Sequence, residues 1–136
     1  MRFLLPIITI ILIACSSSPK KSEEIIIADS LKVSGKIYID SSMQTVQNWT
    51  LYATYDGNLT VSGPTINSNS KTITFDTIKI GIPSGHENGI IRFSVKVNGI
   101  KETRSYFCSG QTPDTFKANL KVFQNVEIYA NSCAYN

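Results

Sequence analysis

Histidine and tryptophan occur once each in the 136 residues, at His86 and Trp49, and only 17% of the chain is charged. Each scarcity removes a class of chemistry. One histidine cannot assemble a transition-metal cluster at the usual ligand spacings once two of the cysteines are paired, as argued below. Ser84 and His86 stand two residues apart on a loop, with no orienting partner or oxyanion hole evident. Asp56 and Asn58 flank Gly57 without the aspartate-rich spacing of a calcium loop. There is no glycine motif to cradle a phosphate. No basic run extends beyond Lys20-Lys21, so the footprint of a nucleic-acid binder is missing. These absences predict no enzyme, no metal or other cofactor, no nucleic-acid partner and no evident small-molecule substrate.

What is present begins with a long apolar run. Arg2 is followed by Phe3-Leu4-Leu5-Pro6-Ile7-Ile8-Thr9-Ile10-Ile11-Leu12-Ile13-Ala14 and then Cys15. A charge, an apolar stretch and a small residue, in that order, make a secretory signal over residues 1–14. The stretch is short for a membrane span, which needs about 20 residues. Residues 16–24, Ser-Ser-Ser-Pro-Lys-Lys-Ser-Glu-Glu, cannot bury enough apolar area to order themselves. Residues 15–30 are therefore expected to form a flexible tether.

Leu12-Ile13-Ala14-Cys15 resembles the lipobox of bacterial lipoproteins. The resemblance implies cleavage before Cys15, acylation of its thiol, and attachment to a membrane. Ser16 in the next position implies outer-membrane sorting, periplasm-facing, and the Lys21-Ser22-Glu23-Glu24 cluster is faintly similar to surface-export signals of some lipoproteins. The mature chain would hold 122 residues, 136 less 14, with 12 basic and 10 acidic groups and a formal charge of +2. That is enough for one core and too little for two. With Cys15 acylated, Cys108 and Cys133 remain, and an oxidising compartment would close them into a disulfide. A bond across that gap stabilises by roughly 3.5 kcal/mol on the chain-entropy model.

From residue 31 the apolar period is two. Leu31, Val33, Ile37 and Ile39 mark one strand; Trp49, Leu51, Ala53 and Tyr55 share one face of another, with Trp49 as a core anchor. Asp56-Gly57-Asn58 turns the chain into Leu59-Thr60-Val61, and Gly63-Pro64 is expected to end that strand. From Thr72 to Ile80 the apolar parity switches between Phe75 and Ile78, which predicts a bulge at Asp76-Thr77. Residues 81–89 carry the longest loop signal. A hairpin is expected at Val97-Asn98-Gly99, pairing Lys96 with Ile100 and Ser94 with Glu102. A second is expected at Phe123-Gln124-Asn125, pairing Val122 with Val126 and setting Lys121 opposite Glu127 and Cys133 opposite Thr115.

The count is seven or eight short strands over residues 31–136: an all-β fold, a small antiparallel β-sandwich, immunoglobulin-like or transthyretin-like in type. Trp49 does not lie between the two cysteines, which argues against a true immunoglobulin domain. Ser34-Gly35-Lys36-Ile37 and Phe75-Asp76-Thr77-Ile78-Lys79-Ile80-Gly81 resemble segments of transthyretin-like modules. The plan of lipobox, tether and sandwich is also similar to the small outer-membrane lipoprotein of type VI secretion, and that resemblance implies loops gripping an envelope protein partner. The residues expected at such a contact are Asp56, Gly57, Asn58, Ser84, His86, Glu87 and Asn88. A different class of function, a surface glycan-binding module, would need Tyr38, Tyr52 and Tyr129 exposed on one flat face.

Overall fold

The computed structural model describes residues 23–136. The expected signal peptide, Cys15, Ser16 and most of the expected tether lie outside the described residues. Nine strands follow one another: β1 (Ile27–Ile39), β2 (Thr45–Tyr55), β3 (Leu59–Asn67), β4 (Thr72–Pro83), β5 (Ile90–Lys101), β6 (Arg104–Gln111), β7 (Phe116–Lys117), β8 (Val122–Ala130) and β9 (Ser132–Tyr135). One sheet has the order β4-β1-β8; the other runs β3-β2-β5-β6-β9, with β7 added beside the start of β5. All pairings are antiparallel except β1 with β8. The fold is an all-β sandwich.

The period-two pattern explains the layers. Leu31, Val33 and Ile37 of β1, Ile80 and Ile82 of β4, and Ile128 of β8 are fully or almost fully buried, and face Leu51, Ala53, Tyr55, Ile91, Phe93 and Val97 of the second sheet. Trp49 is 2% exposed and packs on Phe75, with ring centroids 5.4 Å apart. Phe93, Phe116 and Phe123 form a mutual cluster with centroids 5.3–5.5 Å apart, near the favoured aromatic spacing.

The parity switch in β4 is a bulge where expected. Val33 pairs with Ile78, but Gly35 pairs with Phe75, so Asp76-Thr77 together oppose Ser34. β8 does the same on the other side: Val33 pairs with Phe123 and Gly35 with Val126. Asn125, at φ 57°, takes up the extra residue there. The strands close so tightly on Gly35 that a Cβ would stand 1.8 Å from the Val126 carbonyl oxygen.

Several boundaries differ from expectation. β1 begins at Ile27, which pairs with Pro83, so Ile27–Ser30 belong to the sheet and not to the tether. β3 runs through Gly63-Pro64; Thr50 pairs with Thr65 and Tyr52 with Ser62, and the shift accommodates a proline on an edge strand. β4 continues to Pro83 and shortens the expected 81–89 loop.

Neither predicted hairpin forms. Lys101 pairs with Arg104, and the turn is Glu102-Thr103, both left-handed at φ 51° and 65°. Gly99 stays in β5 because the chain passes close by: a Cβ there would meet the Thr45 carbonyl oxygen at 2.1 Å. The adopted register sets Val97 opposite Cys108 and Gly99 opposite Tyr106, which turns Tyr106 and Cys108 inward. Phe123-Gln124-Asn125 is likewise inside a strand. The chain reverses earlier, at a 3-10 turn over Ala118–Leu120 closed by left-handed Lys121. Burial of Phe123 in the aromatic cluster and the hydrogen-bonding edge of β1 outweigh a local hairpin. Lys121 pairs with Asp29, not Glu127. Cys133 faces Cys108 across the β6–β9 pair, not Thr115, and the two form the disulfide.

Candidate functional site

β2 and β3 are joined at one end of the sandwich by a tight turn in which the Asn58 N–H donates to the Tyr55 carbonyl at 3.1 Å. Asp56 and Gly57 are both left-handed, at φ 49° and 75°, the backbone that an Asp-Gly pair adopts readily. The β4–β5 connection reaches the same end. His86 N–H donates to Pro83 O and Gly89 N–H to His86 O, each at 3.0 Å, and Glu87 accepts from the Gly85 N–H at 2.8 Å.

Asp56 locks the two connections together. Its Oδ2 lies 2.7 Å from His86 Nδ1, its Oδ1 accepts from the Ile90 N–H at 2.9 Å, and its own N–H donates to Ile90 O at 2.7 Å. The Ile90 N–H, and next the His86 ring, hold the Asp56 carboxyl below its ordinary range. The His86 ring in turn leans on Tyr55, with centroids 6.0 Å apart. Tyr55 is buried and donates its hydroxyl to Gly81 O at 2.8 Å, and burial pushes its phenol above its usual value.

The structure thus brings Asp56, Gly57, Asn58, Ser84, His86, Glu87 and Asn88 to one end, and pairs Asp56 with His86. An orienting carboxylate for the histidine does exist, 30 residues away in sequence. No hydrogen bond joins Ser84 to His86 among the described residues, and the Ser84 N–H is used by the Ile26 carbonyl at 2.8 Å. Asn58, Ser84 and Asn88 are exposed. Among the described residues no three acidic, histidine or cysteine side chains gather where they could hold a metal ion.

The three tyrosines do not make one platform. Tyr38 and Tyr129, on the outer face of the three-stranded sheet, stack on each other with centroids 4.8 Å apart and planes at 15°. Tyr52 is on the outer face of the other sheet, opposite Ser94. Tyr129 and Tyr52 nevertheless border a single open groove of about 550 Å³, whose floor carries Ser94, Lys96, Ser109 and Gln111. Lys96 lies over the Phe107 ring at 4.8 Å.

One feature escaped sequence reasoning. Ile25, Ile26, Ile27, Ile90, Leu120 and Val122 are exposed; the three consecutive isoleucines and Leu120 lie where the described chain enters at the Asp56–His86 end, while Ile90 and Val122 point out of the outer faces of opposite sheets. The uninterrupted Ile25-Ile26-Ile27 run, coming directly after the polar stretch, was the available signal. No helix among the described residues is long and apolar enough to cross a membrane. Comparison with known proteins finds no matching family model, no matching curated protein and no matching solved structure.

Proposed function

We propose that this chain is a lipid-anchored, non-catalytic protein of the bacterial envelope, held at the outer membrane by an acylated Cys15, whose β-sandwich binds a protein partner. The observation that carries the reading is the disulfide. It uses Cys108 and Cys133, two of the three cysteines, and leaves Cys15 behind an apolar signal-like run. A disulfide also suits an exported chain, since such bonds persist in oxidising compartments. The partner contact is the end formed by the Asp56-Gly57-Asn58 turn and the Ser84–Asn88 turn, where polar groups are presented on a backbone braced by the Asp56–His86 pair. One specific form is an assembly tether of the type VI secretion kind, in keeping with the order lipobox, tether, sandwich.

The test is fractionation and capture. Cys15→Ala is expected to move the protein from the membrane to the soluble fraction. Crosslinking from Asn58 or Asn88 in intact cells is expected to trap a discrete envelope protein. A Cys15→Ala protein that still sediments with membranes through a processed N-terminus contradicts the anchor.

The alternative of a glycan-binding module loses the flat three-tyrosine face it needed, since Tyr38 and Tyr129 stack on one sheet and Tyr52 stands on the other.

A further inference from the structure

Among the described residues seven large hydrophobic side chains are exposed, and four of them, Ile25, Ile26, Ile27 and Leu120, lie where the described chain enters the sandwich; Ile90 and Val122 are near that end but point out of the outer faces of opposite sheets, beside Arg92 and Lys32. Backbone bonds tie their segments together. Ser84 N–H donates to Ile26 O at 2.8 Å, Ala118 N–H to Gly89 O at 2.9 Å, and Lys32 N–H to Lys121 O at 2.7 Å. The Lys121–Asp29 ion pair joins the 3-10 turn to the start of β1. Ile26 and Leu120 are the most open of the four, at 72% and 62%. Apolar groups concentrated in this way on one part of a surface mark a contact with a protein or a membrane.

We infer that this end is a lipid-facing surface that seats the sandwich on the bilayer to which Cys15 attaches it. The inference rests on the reading of Cys15 as the acylated residue. Its independent support is where the chain comes in. The tether joins the domain at Glu23–Ile25, inside the apolar end, and not at the far end where the β3–β4 and β5–β6 turns lie. Only eight residues, 16–23, separate Cys15 from Glu24, so even at full extension the chain reaches no further than roughly 30 Å from the acylated residue to this end.

The attraction is apolar and not electrostatic. Lys32, Arg92, Lys117 and Lys121 on these segments are offset by Glu23, Glu24, Asp29, Asp56 and Glu87. Interfacial apolar side chains lodge about 5–10 Å into the headgroup and acyl boundary, a depth that isoleucine and leucine side chains at a domain tip can reach. The turn that carries His86 is bonded to Ile26 through the Ser84 N–H, so the partner contact and the seat share one end and a protein reaching Asn58 or Asn88 must itself lie at the membrane surface.

The experiment uses the full chain purified from membranes and reconstituted in zwitterionic phosphatidylcholine vesicles whose acyl chains are brominated near the headgroup. Leu120→Trp and, as a second variant, Ile26→Trp place a reporter at exposed positions of the seat. Lys71→Trp places one at the far end, and buried Trp49 supplies the same background in all three. Leu120→Trp and Ile26→Trp are expected to lose emission to the brominated lipid, and Lys71→Trp to keep it. Intact mass on the same samples reads the state of Cys15. Unquenched Leu120→Trp and Ile26→Trp on an acylated chain overturn the seat and leave the anchor standing. Emission that is blue-shifted without vesicles and indifferent to bromine means that the chain before Glu23 or a second copy covers the end, which also overturns it. An unmodified Cys15 with unquenched reporters removes seat and anchor together; an unmodified Cys15 with quenched reporters removes the anchor alone.

Discussion

Gly35 and Asp56 show how much a single residue decides here. At Gly35 the β1, β4 and β8 backbones converge, and the Val126 carbonyl occupies the space of a side chain. Gly35→Ala must push β8 away from β1; overpacking of this kind costs about 1–3 kcal/mol. Urea unfolding is expected to show an unfolding free energy lower by that amount, with a correspondingly lower midpoint, and an unchanged midpoint would mean that the close approach relaxes freely. Asp56 acts through charge. Its carboxyl is held below the ordinary value of 3.8, first by the Ile90 N–H and then by His86. A carboxylate with a depressed folded pKa contributes stability above its unfolded pKa, and that stability is lost as pH falls through the folded value. Asp56→Asn therefore flattens the loss of stability between pH 4 and the more acid range, seen as a gentler acid-unfolding curve by circular dichroism. Superimposable acid curves for the two proteins would contradict the pairing.

β9 is the most dependent of the elements. It pairs only with β6, and the Cys108–Cys133 bond lies inside that pair. The bond closes a separation of 25 residues, which corresponds to about 3.5 kcal/mol on the chain-entropy model. Replacing both cysteines by serine is expected to lower stability by about that much and to speed amide exchange in β9 ahead of β2 and β5. Equal protection of β9 with and without the bond would show that strand pairing alone holds it. The elements also mark where sequence reading worked. β1 and β2 were legible because alternation with a single buried face leaves one register open. The β4 bulge was legible because the parity of Ile73 and Phe75 against Ile78 and Ile80 cannot be met without one. The hairpins at Val97-Asn98-Gly99 and Phe123-Gln124-Asn125 were misread because glycine and asparagine also serve tight contacts and bulges. The true turn, Glu102-Thr103, uses residues that rarely take positive φ. Of the candidate site, both loops were legible as polar turns. Their meeting through Asp56 and His86 was not, since nothing local links residues 30 apart. The Cys108–Cys133 pair was legible from cysteine arithmetic, although the strand register that delivers it was not.

At the scale of the whole molecule the most exposed apolar side chains, Ile26 and Leu120, gather where the described chain begins, while Tyr129 and Val122 stand on the outer face of the three-stranded sheet. This arrangement gives the proposed anchor a geometry: lipid at Cys15, a short polar stretch, an apolar seat, and braced turns at the same end. The account stands on the chemistry of one sulfur. Intact-mass spectrometry of the protein extracted from membranes tests it most directly. The expected species begins at Cys15 and carries acyl groups on that residue; a processed chain with an unmodified Cys15 thiol would contradict the account.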